Sequence, residues 1–200
     1  MSSQKRKYEL RRRAEGMEET RRRITEAAVE LHGTVGPART SVLAVAELAG
    51  VQRHTLYRHF PDADALFTAC SGRFAELNPW PDQERWRAIE DPAERLETGL
   101  DELYGWYEQT EPMLANLYRD APLVEVVASH MRPLNAYVEQ AGRTLASGWP
   151  ARGGRRKVLD AAVGHAVAFY TWRSLARDGG VNRAQAVKLA RALVESAASS

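Results

Sequence analysis

The stretch that decides the fold is Thr40–Phe60, TSVLAVAELAGVQRHTLYRHF. It holds two short helical patterns, Ser41 to Ala49 and Arg53 to Phe60, joined by Gly50-Val51-Gln52. Two short helices linked by a Gly-containing turn make a helix-turn-helix. Val42, Val45, Ala46 and Leu48 are expected to face inward from the first helix. Ala46 and Ala49 are small where the helices approach, and Gly50 takes the positive φ of a sharp turn. Val51, Leu56 and Phe60 pin the second helix to a core. A helical step of about 100° per residue then puts His54 and Arg58 on the opposite side. Thr55 and Tyr57 flank them, and Arg53 stands near the helix start. No carboxylate occurs from Gln52 to Phe60. A helix entering a DNA major groove needs such a donor-rich face, because its first residues read base edges while its flanks hold phosphates.

Working outward, residues 1–17 are polar and basic and are expected to form a flexible arm. The spacing of Ile24, Ala27, Ala28 and Leu31 predicts a helix from about Glu18 to His32, ended by Gly33, Gly36 and Pro37. Pro61-Asp62 ends the second short helix and opens another, which carries Leu66, Phe67 and Phe74. Asn78-Pro79-Trp80-Pro81 separates a DNA-binding head, 18–77, from a body, 82–200. In the body, Asp91-Pro92-Ala93-Glu94 combines an N-cap, Pro at the first helical position and an acid two residues later. Glu111-Pro112 is expected to start a further helix, and Pro122 and Pro133 to mark starts or kinks. Trp149–Gly154 reads as a loop. One long helix is expected from about Arg155 to Arg177, stopped by Gly179-Gly180, and Asn182-Arg183-Ala184-Gln185 is a capping box for the last helix. Strand patterns are nearly absent. The fold class is all-α: a three-helix head with a helix-turn-helix, plus a helical-bundle body.

Composition narrows the classes. The hydrophobic share of 44% suits a globular core, and no apolar run approaches the ~18 residues of a membrane span. The basic N-terminus is not followed by the apolar stretch of a signal peptide. With Cys70 as the lone cysteine, the expected location is the cytoplasm. Residues 1–60 carry 12 Lys/Arg against 7 Asp/Glu, while 61–200 carry 16 against 19. A basic first third on a mildly acidic remainder suits a protein that meets phosphate at one end.

Thr40-Ser41, Val45-Ala46, Ala49-Gly50-Val51 and Thr55-Leu56-Tyr57-Arg58-His59-Phe60 resemble the DNA-binding motif of the TetR family of transcriptional regulators. The specific match runs over about Ile24–Leu66, and the remainder is similar in being a helical body of the right size. The resemblance implies a ligand-responsive repressor: a homodimer on a pseudo-palindromic operator in double-stranded DNA, released by a small-molecule effector. By position it implies base contacts from Arg53, His54, Tyr57 and Arg58, and phosphate contacts from Ser41, Thr55, Tyr57 and His59. Two departures stand out. Gln52 occupies the start of the reading helix, where the family often has Ser, and Pro61-Asp62-Ala63-Asp64 carries acids where the family often has Lys. The basic arm, Lys5–Arg13, offers an electrostatic compensation.

The body is rich in rings. A largely apolar effector with one or two polar groups is expected to meet Tyr104, Tyr107, Met113, Leu117, Tyr118, Met131, His165, Phe169 and Trp172. Core packing is the competing role for these residues, His165 included. Val187, Ala190, Leu193 and Val194 give the last helix an apolar face that can pack inward or pair with a second subunit; the resemblance favours the subunit interface. Cys70 reads as a packing residue. No His/Cys/Asp/Glu set has metal-ligand spacing, no nucleophile–base set is visible, and neither metal, cofactor nor catalytic residue is expected. Two other readings remain: an all-helical enzyme whose site assembles only in three dimensions, and a constitutive DNA-binding protein without a ligand.

Overall fold

The computed structural model describes residues 2–199. Ten α-helices follow in order: α1 Ser2–Thr34, α2 Val42–Leu48, α3 Arg53–His59, α4 Ala63–Leu77, α5 Gln83–Arg87, α6 Pro92–Asp120, α7 Glu125–Leu145, α8 Gly154–Ala166, α9 Phe169–Arg173 and α10 Arg183–Ser199. A 3₁₀ turn, Pro37–Arg39, precedes α2, and a π-helical turn, Ser174–Asp178, continues α9. No strand occurs among the described residues, and none of their helices is long and apolar enough to cross a membrane. The chain forms two compact units. One runs up to Leu77 and includes Pro112–Met131; the other comprises Asn78–Glu111 and Arg132 onward.

The first unit is built on α1, which packs against α2 and α4. Ile24, Ala27 and Ala28 are buried, as their spacing predicts, with Val45, Ala46, Leu56, Phe60, Leu66 and Phe67. Leu48 departs from expectation: it is exposed, and Ala49 takes the inward position beside the turn. Residues 2–17, expected to be a flexible arm, continue α1 as helix. This stretch has no proline, and Arg11 pairs with Glu15 at i, i+4 (2.8 Å).

The segment Pro112–Met131 belongs with the head for a hydrogen-bonding reason. Asn116 Nδ2 donates to the carbonyls of His32 (3.0 Å) and Gly33 (2.9 Å) near the end of α1. The buried Asp120 accepts from the amide of Ala38 (3.0 Å) and pairs with Arg119 (2.6 Å). Arg119 in turn donates to the Val35 carbonyl (3.0 Å). These side chains satisfy the backbone groups of the connection between α1 and α2.

In the second unit, the expected caps are present. Glu94 N donates to Asp91 Oδ1 (2.7 Å), and the capping box at Asn182 and Gln185 is closed by reciprocal 3.0 Å bonds. Two expectations fail. Pro112 does not begin a helix but lies inside α6; Pro133, expected as a start or a kink, lies inside α7. One missing amide is tolerated where buried residues flank it on the same helix, here Tyr107 and Leu114. The long helix expected over 155–177 is broken at Val167-Ala168, where Ala168 is extended. Thr171 N turns to the Ala168 carbonyl (3.1 Å). The carbonyls of Ala166 and Val167 are taken instead by the hydroxyls of Tyr104 (2.8 Å) and Tyr107 (2.7 Å).

His32 provides a test of the first unit. It is buried, stacked on Phe67 (centroids 4.7 Å), with Nδ1 3.6 Å from Cys70 Sγ. Burial pushes its pKa down to about 4 from 6.5, against a smaller opposing pull from the Asp120 carboxylate. The unfolded chain therefore takes up this proton at a higher pH than the folded one, and stability falls as pH drops through the window between those values. Urea unfolding near pH 7 and near pH 4.5 should show a loss of about 2–3 kcal/mol attributable to this residue. The variant His32→Phe should lose that share of the pH dependence.

Candidate nucleic-acid interface

The site is assembled from α2, the turn and α3, and it is held in place by α1. Ser41 caps α2, its Oγ accepting from Ala44 N (3.0 Å). Its hydroxyl keeps a proton to donate. Gly50 has φ +64°, and the tight turn is closed by Gly50 N to Glu47 O (3.0 Å) and Val51 N to Ala46 O (2.9 Å). A side chain at Gly50 would also meet the guanidinium of Arg23 at 3.0 Å.

That guanidinium matters. Arg23 Nη2 donates to the carbonyls of Ala49 and Gly50 at the end of α2. Arg21 Nη1 donates to the His59 carbonyl at the end of α3 (2.9 Å), and its Cζ lies 4.3 Å from the centre of the Phe60 ring. Two arginines of α1 thus hold both sides of the reading element. Sequence reasoning counted Arg21 and Arg23 only as charge. The signal that marks Arg21 is its place three residues before buried Ile24, on the same helix face.

On α3, Leu56 and Phe60 are buried, and Arg53, His54, Tyr57 and Arg58 are exposed, as expected. Arg53 Nη2 lies 3.3 Å from Tyr57 Oη, and its Cζ lies 5.5 Å from the ring centre. The pair is therefore pre-positioned on one face, at i and i+4, with His54 and Arg58 forming the adjacent pair. Tyr57 keeps 40% of its surface in solvent. Thr55 is half-buried beside His54 (Oγ1 to Nε2 3.3 Å). His59 is the least available of the named residues: it is half-buried, and its Nε2 is closed off from solvent without a partner. Burial, then the neighbouring Arg58 and Arg21, lower its pKa, so it is neutral near pH 7.

The acids after α3 have a structural use. Asp62 Oδ1 accepts from Ala65 N (2.8 Å) and so caps α4. Gln52, by contrast, sits at the start of α3 with no side-chain cap. Residues 6–13 of α1 are exposed along their length and carry five basic side chains, Arg6, Lys7 and Arg11–Arg13.

The nine residues named for an effector are divided between the two units. Tyr104, Tyr107, Phe169 and Trp172 are buried together in the second unit. Tyr107 meets Phe169 edge-on at 5.4 Å and Trp172 at 5.8 Å. Met113, Leu117, Tyr118 and Met131 belong to the first unit. His165 is exposed on α8, its ring 3.3 Å from Thr171 Oγ1, while Val163 and Ala166 on the same helix are buried. Of the four residues named on α10, Val187, Ala190 and Val194 are buried within their own chain, where α10 packs on α8; Leu193 is exposed. Cys70 is buried, and burial pushes its thiol up to about 12, which suits packing and not nucleophilic chemistry. Among the described residues, no group of three His, Cys, Asp or Glu side chains is placed to hold a metal.

Solved structures share this fold across nearly the whole chain. A TetR-like transcriptional regulator from Rhodococcus sp. RHA1 superposes with a TM-score of 0.62 at 21% identity, covering 88% of this chain and 93% of its own. A TetR-family regulator from Syntrophomonas wolfei gives 0.63 at 14% identity, covering 92% and 96%. NalD of Pseudomonas aeruginosa, described as the secondary repressor of the MexAB-OprM multidrug efflux pump, gives 0.53 at 21% identity, covering 91% and 95%. No curated protein matches the sequence significantly. The family model for bacterial regulatory proteins of the tetR family matches residues 24–70, which span the end of α1, both helices of the reading element and the first half of α4. The match covers the helix-turn-helix, and the fold of the whole chain is the one shared by these solved TetR-family regulators.

Proposed function

We propose that the protein is a homodimeric repressor that reads a pseudo-palindromic operator and is released from it by a small apolar effector. The observation that carries this reading is the face of α3. Arg53, His54, Tyr57 and Arg58 stand exposed on a short helix without a carboxylate; Arg21 ties the end of that helix to α1, and Arg23 ties the preceding turn. Arg53 has the fork geometry to contact a guanine edge, and Tyr57 supplies a hydroxyl and a rigid ring. Ser41 and Thr55 flank this face as phosphate donors, and the basic first turns of α1 add non-specific attraction.

A single α3 covers few base pairs, so useful affinity needs two heads on related half-sites. The surface best suited to a second copy is the outer side of α8 and α10. Val158 on α8 and Leu189 and Leu193 on α10 leave 56%, 52% and 46% of their surface exposed. Leu189 and Leu193 are one turn apart on the same face. Val194 next door is fully buried in the chain's own core.

For the effector, the ring cluster of Tyr104, Tyr107, Phe169 and Trp172 is the favoured location. The Trp172 indole N–H is buried there without a hydrogen-bond partner. A buried donor left unpaired is costly, and an acceptor on a ligand relieves that cost. An apolar molecule with one acceptor fits this chemistry.

Three measurements test the reading. Tyr57→Ala and Arg53→Ala should each weaken operator binding by about 10- to 100-fold at fixed salt, corresponding to ~1–3 kcal/mol, with unchanged circular dichroism. Truncating the first 13 residues should instead weaken all duplexes alike and flatten the salt dependence; unchanged affinity in both point variants would refute α3 as the reader. In sedimentation, Leu189→Glu with Leu193→Glu should give folded monomers, whereas Val194→Glu should destabilise the fold itself by several kcal/mol. Finally, calorimetry of candidate effectors with and without operator should show weaker binding in its presence. A ~100-fold difference corresponds to ~2.7 kcal/mol of coupling, and equal affinity in both states would remove a compound from consideration as inducer.

A further inference from the structure

The segment Trp80–Arg87 lies along α7 and forms with it a groove of about 740 Å³. That is within the range of small-molecule sites. From α7 come Pro133, Ala136, Tyr137 and Gln140, which recur at i, i+3, i+4 and i+7 and so share one face. From the other side come Trp80 and Pro81.

The walls are fixed by hydrogen bonds that run in both directions. Gln83 Nε2 donates to the Tyr137 carbonyl (3.0 Å), and Tyr137 Oη donates to the Pro81 carbonyl (2.8 Å). Trp86, fully buried, anchors α5 from behind through Nε1 to Glu102 Oε2 (2.8 Å). Trp80 is held 4.8 Å from Tyr137 between ring centres, yet 40% of its surface stays in solvent. A large ring so held and so exposed, beside a second ring and two prolines, is a preformed flat apolar surface.

The charged groups of the lining are two carboxylates and one base. Glu84 is neutralised by its pair with Arg87. The Asp82 carboxylate caps α5 through Glu84 N (3.0 Å) and has no cationic partner among the described residues. The Tyr137 hydroxyl proton is held on chiefly by burial, and the carboxylates of Glu102 and Asp82 add to this. Gln83 is nine-tenths buried, and its Nε2 bond fixes the amide orientation, so Oε1 is left as an acceptor without a partner. The groove therefore offers ring faces and the Asp82 carboxylate, and the one base in its lining is already paired.

We propose that this groove binds a small organic cation, an ammonium or amidinium group carried on a flat apolar body. Trp80 and Tyr137 attract the cation through the negative faces of their rings. Asp82 supplies the opposite charge. The site lies apart from the Trp172 ring cluster and does not rest on the DNA-binding reading.

The test is calorimetry of the full chain with benzamidine and with benzamide, its uncharged counterpart, at fixed salt. Benzamidine should bind at least about tenfold more tightly than benzamide, and Trp80→Ala should remove about tenfold of that affinity. Asp82→Asn keeps the helix cap, since Asn and Asp cap equally well, but should weaken benzamidine binding and reduce its salt dependence. Trp172→Phe should leave benzamidine binding unchanged. The proposal is overturned if the two probes bind equally, if benzamidine gives no binding heat up to about 10 mM, or if both Trp80→Ala and Asp82→Asn bind it like the wild type.

Discussion

A helix ends in carbonyls that have lost their amide partners, and a chain made of ten helices must find donors for all those that are buried. In this protein the donors are side chains from distant parts of the sequence. Arg23 takes the carbonyls at the end of α2 and Arg21 takes one at the end of α3. Asn116 takes two near the end of α1, and Tyr104 and Tyr107 take those exposed by the break after α8. Arg95, buried, donates to Ile89, Glu90 and Ser147. The same currency holds Gln83 and Tyr137 together in the groove of the second unit.

This requirement explains how a reading helix of seven residues keeps a defined orientation. Short helices are marginal in isolation, because nucleation is costly and few ladder bonds form. Here Leu56 and Phe60 anchor α3 to the core, and the two arginines of α1 fix its end and the preceding turn. The outer face is then free of structural duties. Arg53 and Tyr57 lie against each other on this exposed face. Asp62, which sequence alone marks as an unfavourable acid near phosphate, is occupied as the cap of α4.

The body separates buried from available residues in a way that hydrophobicity does not. The last helix has apolar residues on more than half of its circumference. Val187, Ala190 and Val194 face α8, and Leu189 and Leu193 face out. Similarly, the aromatic residues divide into a sealed cluster around Tyr107 and an open pair, Trp80 and Tyr137. These two clusters differ in chemistry as well: the first contains an unpaired donor at Trp172, the second an unpaired acceptor at Gln83.

The sequence by itself determined the all-α class, the reading element and its outward residues, and both helix caps at Asp91 and Asn182. These depend on local periodicity, on a glycine at the turn and on hydrogen bonds that span three residues. The tertiary structure decided the rest. Pro112 and Pro133 lie within α6 and α7, where buried residues on both sides hold the helix through one missing bond. The break at Ala168 carries no glycine or proline; it exists because Tyr104 and Tyr107, more than 55 residues away, supply the two donors that make it affordable. Which apolar face of α10 is inside, and which rings share a cluster, follow from contacts between segments far apart in the chain, and such contacts leave no periodic trace in the sequence.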